Sequence, residues 1–484
     1  MKALQVVIAI GVIFGIIFGL SAASYWLGAW IESGFYLPFG IGPLVKAGLP
    51  GWAWVSNLLI LVLVFVMVIA TFLTLAERKW SAMMQDRIGP NRATIEVPGL
   101  RGRSLGGVFH IATDALKMLT KEDFRPKNAD PLLFNLGPIL AFAPVLALFA
   151  VVPVGPQVTV NRFDAVHRIG LQVANPDFGM LWIFAIASLA VYGTSLAGWA
   201  SNNKFALLGG VRAASQMISY EVALGLGLVG AMMAFSTVRL PDLIQGQTVQ
   251  LWGGSVHLGS TGPLAFGIPA WGIFLQPVGF IIFFAAAFAE TKRAPFDVPE
   301  GESEIIGYFV EYSGMKFGLF MISEFAEVVI LAAVTTAIFL GGWHIGFAGD
   351  AWLTRNLAGS PIVLGAVYAT IFWVKVLVLC YIQLAIRWTF PRFRYDQIQT
   401  LGWKILLPQA LANVFITGAL ILLDPSLRWL AIVGFVEIGF VLALALRRKD
   451  QEVGHGADDA HLPADAHGHA PPAALPGPAA ASHH

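Results

Sequence analysis

The residues of this chain with the clearest chemical potential are its carboxylates. Between positions 290 and 324 stand seven acids, Glu290, Asp297, Glu300, Glu302, Glu304, Glu311 and Glu324, against three bases, Lys292, Arg293 and Lys316. A charge run of this kind is ordinarily a solvated loop, and that reading suits Glu300 and Glu302. It does not suit Glu324, nor Glu221 upstream, because both stand among apolar residues of membrane-spanning length, where an ionisable group is costly and a functional candidate by default. For Glu221 a bland alternative stays open: a glutamate paired near the interface, for example with Arg212. Carboxylates crowded into a site of low dielectric raise one another's pKa, so that one proton can be shared or passed on. That is the chemistry of a proton relay.

Three further polar segments accompany this one. The first reads Glu77-Arg78-Lys79, then Gln85-Asp86-Arg87-Ile88-Gly89-Pro90-Asn91-Arg92, in which Gly-Pro-Asn breaks any helix. After it, residues 105–121 place Leu105, Val108, Phe109, Ala112, Leu116 and Leu119 on one side of a helix, with Asp114, Lys117 and Lys121 mostly on the other. Such a helix lies on a membrane rather than crossing it. It is read either as a lipid-surface helix alone or as the wall of an entrance for a lipid-soluble substrate, and periodicity favours the first. The second segment is Gly198-Trp199-Ala200-Ser201-Asn202-Asn203-Lys204, running on to Ser219-Tyr220-Glu221. The third is basic and aromatic, Arg387-Trp388-Thr389-Phe390-Pro391-Arg392-Phe393-Arg394-Tyr395-Asp396-Gln397, suited to a lipid headgroup or a docked partner.

These segments need elements to position them. Of 484 residues, 57% are hydrophobic and 12% charged, and the mean hydropathy is +0.72. Several apolar runs reach about 20 residues, the length of a helix crossing roughly 30 Å of hydrocarbon. Backbone groups in lipid must be satisfied within the segment, so these runs are expected as helices. The expected architecture is an all-α polytopic membrane protein of ten spans, at 4–30, 53–77, 133–153, 179–199, 217–236, 270–290, 317–341, 362–385, 404–423 and 429–446. Placing all the polar segments above on one side gives that side 23 of the 30 Lys and Arg, against six on the other and Lys375 within a span. By the positive-inside rule that side and both termini are cytoplasmic. The first span has a rival reading as a cleaved signal peptide ending near Ser21-Ala22-Ala23, but apolar character continues to Trp30. From residue 450 the chain turns to Ala, Pro and His, with six of the ten histidines, and is expected to be a disordered tail. The single cysteine, Cys380, excludes an intramolecular disulfide, a cysteine zinc site or an iron–sulfur cluster held by this chain. No glycine-rich nucleotide fingerprint is present.

Taken together and in order, these loops resemble those of the H subunit of the proton-pumping NADH:quinone oxidoreductase, respiratory complex I, the mitochondrial subunit 1 family. The resemblance rests on Glu77-Arg78-Lys79, Gly-Pro-Asn at 89–91, Asp114-Ala-Leu-Lys117, Gly198-Trp-Ala-Ser-Asn202, Ser219-Tyr-Glu221-Val, Arg293-Ala-Pro-Phe-Asp297 and Pro391-Arg-Phe-Arg-Tyr-Asp396-Gln. It runs from about Trp54 to Thr417. It implies a membrane subunit of a bacterial inner membrane that forms a quinone chamber with the peripheral arm and couples quinone reduction to proton translocation. Its implied partners are the peripheral-arm quinone-site subunits, antiporter-like membrane subunits, quinone and membrane lipid, with no nucleic acid. Flavin and iron–sulfur clusters would belong to partner subunits, and the chain would catalyse nothing alone.

By the same resemblance Arg87, Asp114, Lys117, Arg392 and Arg394 line or brace the chamber, while Glu221, Glu290, Asp297, Glu302, Glu304, Glu311 and Glu324 form the proton path. The implied layout is an extra helix and loop over 1–52, an eight-helix core over 53–424, an extra helix over 425–449 and the tail over 450–484. The two added helices depart from the family's core. So does the spacing of seven from Glu304 to Glu311, one residue shorter than the family pattern, which changes their angular separation on a helix from about 80° to about 20°. Two other functions compete: the equivalent anchor of a membrane-bound hydrogenase or ferredoxin-linked complex, and a stand-alone ion transporter.

Overall fold

The computed structural model describes residues 2–32, 58–92, 105–162, 165–257, 263–301, 307–347, 349–357 and 359–458. The described residues are mostly helical, with non-helical connections between the helices and two short antiparallel hairpins. Its first helix, α1 (Lys2–Glu32), is followed by a π-helical stretch, Leu58–Val66, that runs into α2 (Met67–Met84). Eight helices among the described residues are long and apolar enough to cross a membrane. They coincide with eight of the ten expected spans.

The sixth expected span is interrupted. It is divided into α8 (Gly272–Leu275) and α9 (Pro277–Glu290). Gln276 between them has φ −139° and ψ 58°, outside the helical region, and Pro277 brings no N–H to continue the ladder. The 14 residues of α9 rise only about 21 Å, short of the hydrocarbon thickness. The break is tied down by a buried polar trio. Asn413 Nδ2 donates to Gln276 Oε1 at 2.8 Å, and Gln276 Nε2 donates to Thr417 Oγ1 at 2.7 Å. The tenth expected span lies in α15 (Arg428–Asp458) and is not one of the eight. That helix also corrects the start of the tail. It continues past residue 450 to Asp458, through Arg447-Arg448-Lys449 and Gln451-Glu452, which favour helix without needing apolar periodicity. Residues 459–484 lie outside the described residues.

The amphipathic segment forms α3 (Phe109–Thr120), shorter than expected because Gly106 and Gly107 take left-handed φ of 70° and 95°. A Cβ on Gly107 would collide with the Pro90 carbonyl, so the helix can only begin beyond this turn. None of α3 is buried in the chain, and its apolar Leu116 and Leu119 are 60% and 65% exposed, as an interfacial helix requires.

The intervening helices are α4 (Pro131–Phe149), α5 (Gly179–Ala200), α6 (Lys204–Phe235) and α7 (Leu240–Gly246). Hairpin β1 (Val158–Arg162)–β2 (Ala165–Ile169) joins α4 to α5, and hairpin β3 (Gln250–His257)–β4 (Pro263–Pro269) precedes α8. Then come α10 (Gly314–Phe339), α11 (Gly349–Leu357), α12 (Pro361–Thr389), α13 (Tyr395–Thr400) and α14 (Leu407–Leu423). Helix α10 is the hub. Apart from Lys316, Glu324 and Glu327 it carries no charge, and 78% of its most apolar window is buried, the pattern of a helix surrounded by others. Helices α4 and α5 approach closely where Gly193 faces the Ala141 backbone, the small-residue contact common in lipid, where packing rather than the hydrophobic effect holds helices together.

Candidate functional site

Five elements deliver charged side chains to the loop-side end of α10. The last turns of α2 carry Glu77, α9 ends on Glu290, and the connection 291–313 carries Lys292, Arg293, Asp297, Glu300 and Tyr308. Helix α10 contributes Glu324 and Glu327, one helical turn apart and so on one face, and the end of α12 and its following loop contribute Arg387 and Arg392. The connection is held in place by Gln216 of α6. Its Nε2 donates to the carbonyls of Ala289 at 2.7 Å and Phe296 at 2.8 Å. The Phe393 N–H donates to the Pro295 carbonyl at 2.9 Å and fixes the basic loop beside it.

Glu77 is the anionic hinge of the arrangement. Arg293 Nη1 lies 2.6 Å from one of its oxygens and Arg387 Nη1 lies 2.9 Å from the other. Arg293 also reaches Glu324 at 3.5 Å and stacks its guanidinium 3.9 Å above the Phe325 ring. Tyr308 donates its hydroxyl to Glu324 at 3.0 Å. Deeper in, Lys292 Nζ stands 3.6 Å from Glu327, each side chain 5% exposed. Burial alone favours the neutral lysine, but Glu327, Glu324, Glu290 and Glu300 outweigh it and hold the Lys292 pKa above its ordinary value.

Several oxygens in this cluster have no hydrogen-bond partner among the described residues: Glu290 Oε2, Glu300 Oε1 and Asp297 Oδ1. Glu300 faces Glu324. Burial first, and then that neighbouring carboxylate, push the Glu300 pKa well above the usual range. Two facing carboxylates are satisfied only when one of them holds a proton for the other to accept. Asp297 is paired with Arg392 at 2.7 Å. Burial nevertheless outweighs the attraction of Arg392 and Arg387 and brings its pKa up to about 6.

Of the residues expected for a proton path, Glu290, Asp297 and Glu324 meet here. Glu221 of α6 stands beside them. It accepts a hydrogen bond from Ser188 Oγ of α5, and its charge acts on Glu290. Glu302 and Glu304 lie outside the described residues. Glu311 goes elsewhere: it accepts from Asn203 Nδ2 at 2.7 Å and lines a cavity of about 800 Å³ with Lys127, Trp199 and Lys204. The expected chamber residues are spread more widely. Asp114 of α3 pairs with Arg78 at 2.6 Å, both partly exposed. Arg87 and Lys117 are exposed. Arg394 is 80% exposed and 3.9 Å from Asp396.

The reading of Glu300 as a solvated loop residue is corrected, since its Oε1 is buried. Glu77, Lys292, Arg293, Glu327 and Arg387 were missing from the expected set. A signal existed for Glu327, which follows Glu324 by three residues inside an apolar run, and for Glu77, which closes a spanning segment. Nothing local marks Arg387 as the partner of a residue 310 positions earlier.

Comparison with known proteins gives this arrangement its context. A family model described as NADH dehydrogenase matches residues 56–418. The NADH-quinone oxidoreductase H subunit 1 of Cytophaga hutchinsonii is 40% identical over 74% of this chain and 93% of the relative. The H subunit 1 of Geobacter metallireducens is 40% identical over 75% of this chain and 95% of the relative. The H subunit 2 of Rhizobium meliloti is 36% identical over 74% and 94%. The family match includes every charged residue of the cluster and leaves α1 and α15 outside it.

Proposed function

The chain belongs to the NADH dehydrogenase family of NADH-quinone oxidoreductase H subunits, and on that premise we propose that it forms the membrane end of a quinone chamber and hands on protons when quinone is reduced. It is a multi-pass membrane subunit of a multi-subunit oxidoreductase. The observation that carries the proposal is the continuous run of buried charges from Asp297 and Glu77 through Arg293, Glu324 and Glu300 to Lys292, Glu327 and Glu290.

Reduction of a quinone to its quinol consumes two electrons and two protons, so charge appears at the chamber and must be met. The electrons come from flavin and iron–sulfur centres in the peripheral-arm subunits, and antiporter-like membrane subunits receive the coupled proton signal. This chain supplies the response. With Arg392 and Arg387 beside it, Asp297 can change charge near neutral pH. Its protonation state acts through Arg293 and Glu300 on Glu324. A proton shared between Glu300 and Glu324 can then move toward Glu327 and Glu290, with Lys292 as the fixed counter-charge. Arg87, Asp114, Lys117 and Arg394 stand on the surface where the peripheral arm docks, and α3 lies at the membrane interface where a lipid-soluble quinone enters. The charged loops face the cytoplasm of a bacterial cell. No observation favours the hydrogenase-anchor or lone-transporter readings.

The decisive measurement uses the assembled enzyme with Glu324→Gln or Glu221→Ala. Quinone-linked NADH oxidation is expected to fall at least about tenfold, while NADH oxidation with a hydrophilic acceptor continues. Full quinone-linked turnover in both variants would sink the proposal.

A further inference from the structure

Lys375 lies in the middle of α12, 14 residues from either end, and has no place in the cluster above. It meets the opposite end of α10. Its ammonium donates to three backbone carbonyls of the segment after that helix, those of Leu340 at 2.6 Å, Gly342 at 3.0 Å and His344 at 2.5 Å. The Trp271 ring covers it, with 4.6 Å from Nζ to the ring centroid. All its hydrogen-bond partners among the described residues are carbonyls, so the cation is solvated by dipoles rather than matched by an anion.

The segment is shaped for this task. Gly341 and Gly342 take left-handed φ of 72° and 54°, a conformation that costs other residues about 1 kcal/mol or more. A Cβ on Gly341 would strike the Trp271 indole, and one on Gly342 would strike Ile244. Gln247, which caps the C-terminus of α7, secures the same turn, accepting from the N–H of Gly341 at 2.9 Å and donating to the Ala337 carbonyl at 2.9 Å.

Beside this arrangement opens a cavity of about 290 Å³ lined by Trp271 and His344, which both touch Lys375, and by Gln245, Asp350, Thr354 and Tyr368, room for about ten waters at about 30 Å³ each. His344, whose carbonyl holds Lys375, borders this cavity, its ring nitrogens buried and Nδ1 3.6 Å from Asp350 Oδ1. Neither ring nitrogen has a hydrogen-bond partner among the described residues. Burial raises the Asp350 pKa, but His344 and the N–H groups of Gly346 and Ile345 outweigh it and hold the carboxyl below the usual range. Its charge acts in turn on Lys375. The titratable groups facing one another are thus Lys375 and Tyr368 of α12, His344 of the turn and Asp350 of α11.

We infer that Lys375, His344 and Asp350 form a second proton-exchange site, on the face opposite the charged loops, in which the lysine gives up and regains a proton by way of His344 and the cavity that His344 and Asp350 line. A lysine solvated by carbonyls can do this without leaving an unpaired buried anion behind. The proton passes from the Lys375 ammonium by way of water to the His344 imidazole beside Asp350, leaving a neutral amine and an imidazolium; the imidazolium then releases that proton to the aqueous face, and Lys375 regains its charge when a proton returns from that face by the same route. The site goes beyond the proposed quinone function, although its assay rests on that function.

The test reconstitutes the whole complex in proteoliposomes and reads proton translocation per electron against the pH of the compartment on the cavity's side. Lys375→Arg keeps a cation for the carbonyls but cannot release its proton. It is expected to lower the protons moved per electron at least about twofold, with NADH oxidation by a hydrophilic acceptor unchanged. His344→Gln keeps a polar side chain and is expected to flatten the dependence on that compartment's pH. An arginine variant that matches the parent in stoichiometry and pH response would reduce Lys375 to a helix cap and overturn the inference. Should the arginine variant fail to assemble, an unaltered pH response in His344→Gln overturns it alone. Absence of quinone-linked proton movement in the parent complex would instead overturn the function proposed above.

Discussion

At the loop-side end of α10, Glu324 and Glu327 meet Arg293 and Lys292; at its other end, Lys375 meets three backbone carbonyls. Both arrangements hold charge away from water. The first matches side-chain charges of opposite sign and leaves several acids competing for few protons. The second surrounds one cation with dipoles that never titrate. A cluster of the first kind can redistribute protons among its members, whereas a site of the second kind can only exchange one with water. Between them Val328–Phe339 is apolar except for Thr335 and Thr336, whose hydroxyls bond back to their own helix. About 18 Å of helix therefore separates the two sites along α10, with no ionisable side chain between them and both hydroxyls turned back on the helix's own carbonyls.

The comparison breaks most readily at Glu77. Glu77→Gln takes the anion from between two guanidiniums, leaving Arg293 with the longer contact to Glu324 and Arg387 without its ion pair, and loss of one partner of a buried pair costs about 3–5 kcal/mol. Thermal unfolding of the purified complex should register it. Lys375→Leu removes the charge along with its side chain and leaves only orphaned carbonyls at a helix end, a cost of about 1–3 kcal/mol. If Lys375→Leu proved the more damaging of the two, the contrast between charge matching and dipole solvation would be wrong.

Asp297 sharpens the comparison through pH. Its folded pKa of about 6 lies above the value of about 3.9 in an unfolded chain. Such a group contributes its stability in full below about pH 4 and loses it as pH rises through about 6. Asp297→Asn should abolish that slope in pH-dependent unfolding, and should remove an inflection near pH 6 from the quinone-linked rate. A parent enzyme with no inflection there would remove Asp297 from the proton-exchanging group. The smallest effect is expected at the surface pair of Arg78 and Asp114, whose side chains are 49% and 34% exposed. Arg78→Ala should change stability by less than about 1 kcal/mol, and a larger loss would mean that α3 is anchored by charge rather than by the membrane.

Much of this was legible in the order of residues. Apolar runs of spanning length, the polar connections between them and the two-sided pattern of α3 are local properties, and each recurs in the structure. The broken sixth span was not legible, because Gln276 and Pro277 look like an ordinary start inside an apolar run until Asn413 and Thr417 are brought beside them. Glu300 was misread for a related reason. A loop acid is solvated by default, and only the packing of the 291–313 connection against α10 buries it.

By itself, then, the sequence determined that the chain enters a membrane, which connections carry its charge, and which acids stand where water is scarce. Those conclusions follow from hydrophobicity and spacing, which act over a few residues and need no partner. Tertiary structure alone decided the pairings: Glu77 with Arg293 and Arg387, Lys292 with Glu327, Asp297 with Arg392, and Lys375 with the carbonyls after α10. A buried charge is defined by what faces it, and in a bundle of helices that neighbour comes from a different span, set by how the helices pack and invisible to any local pattern.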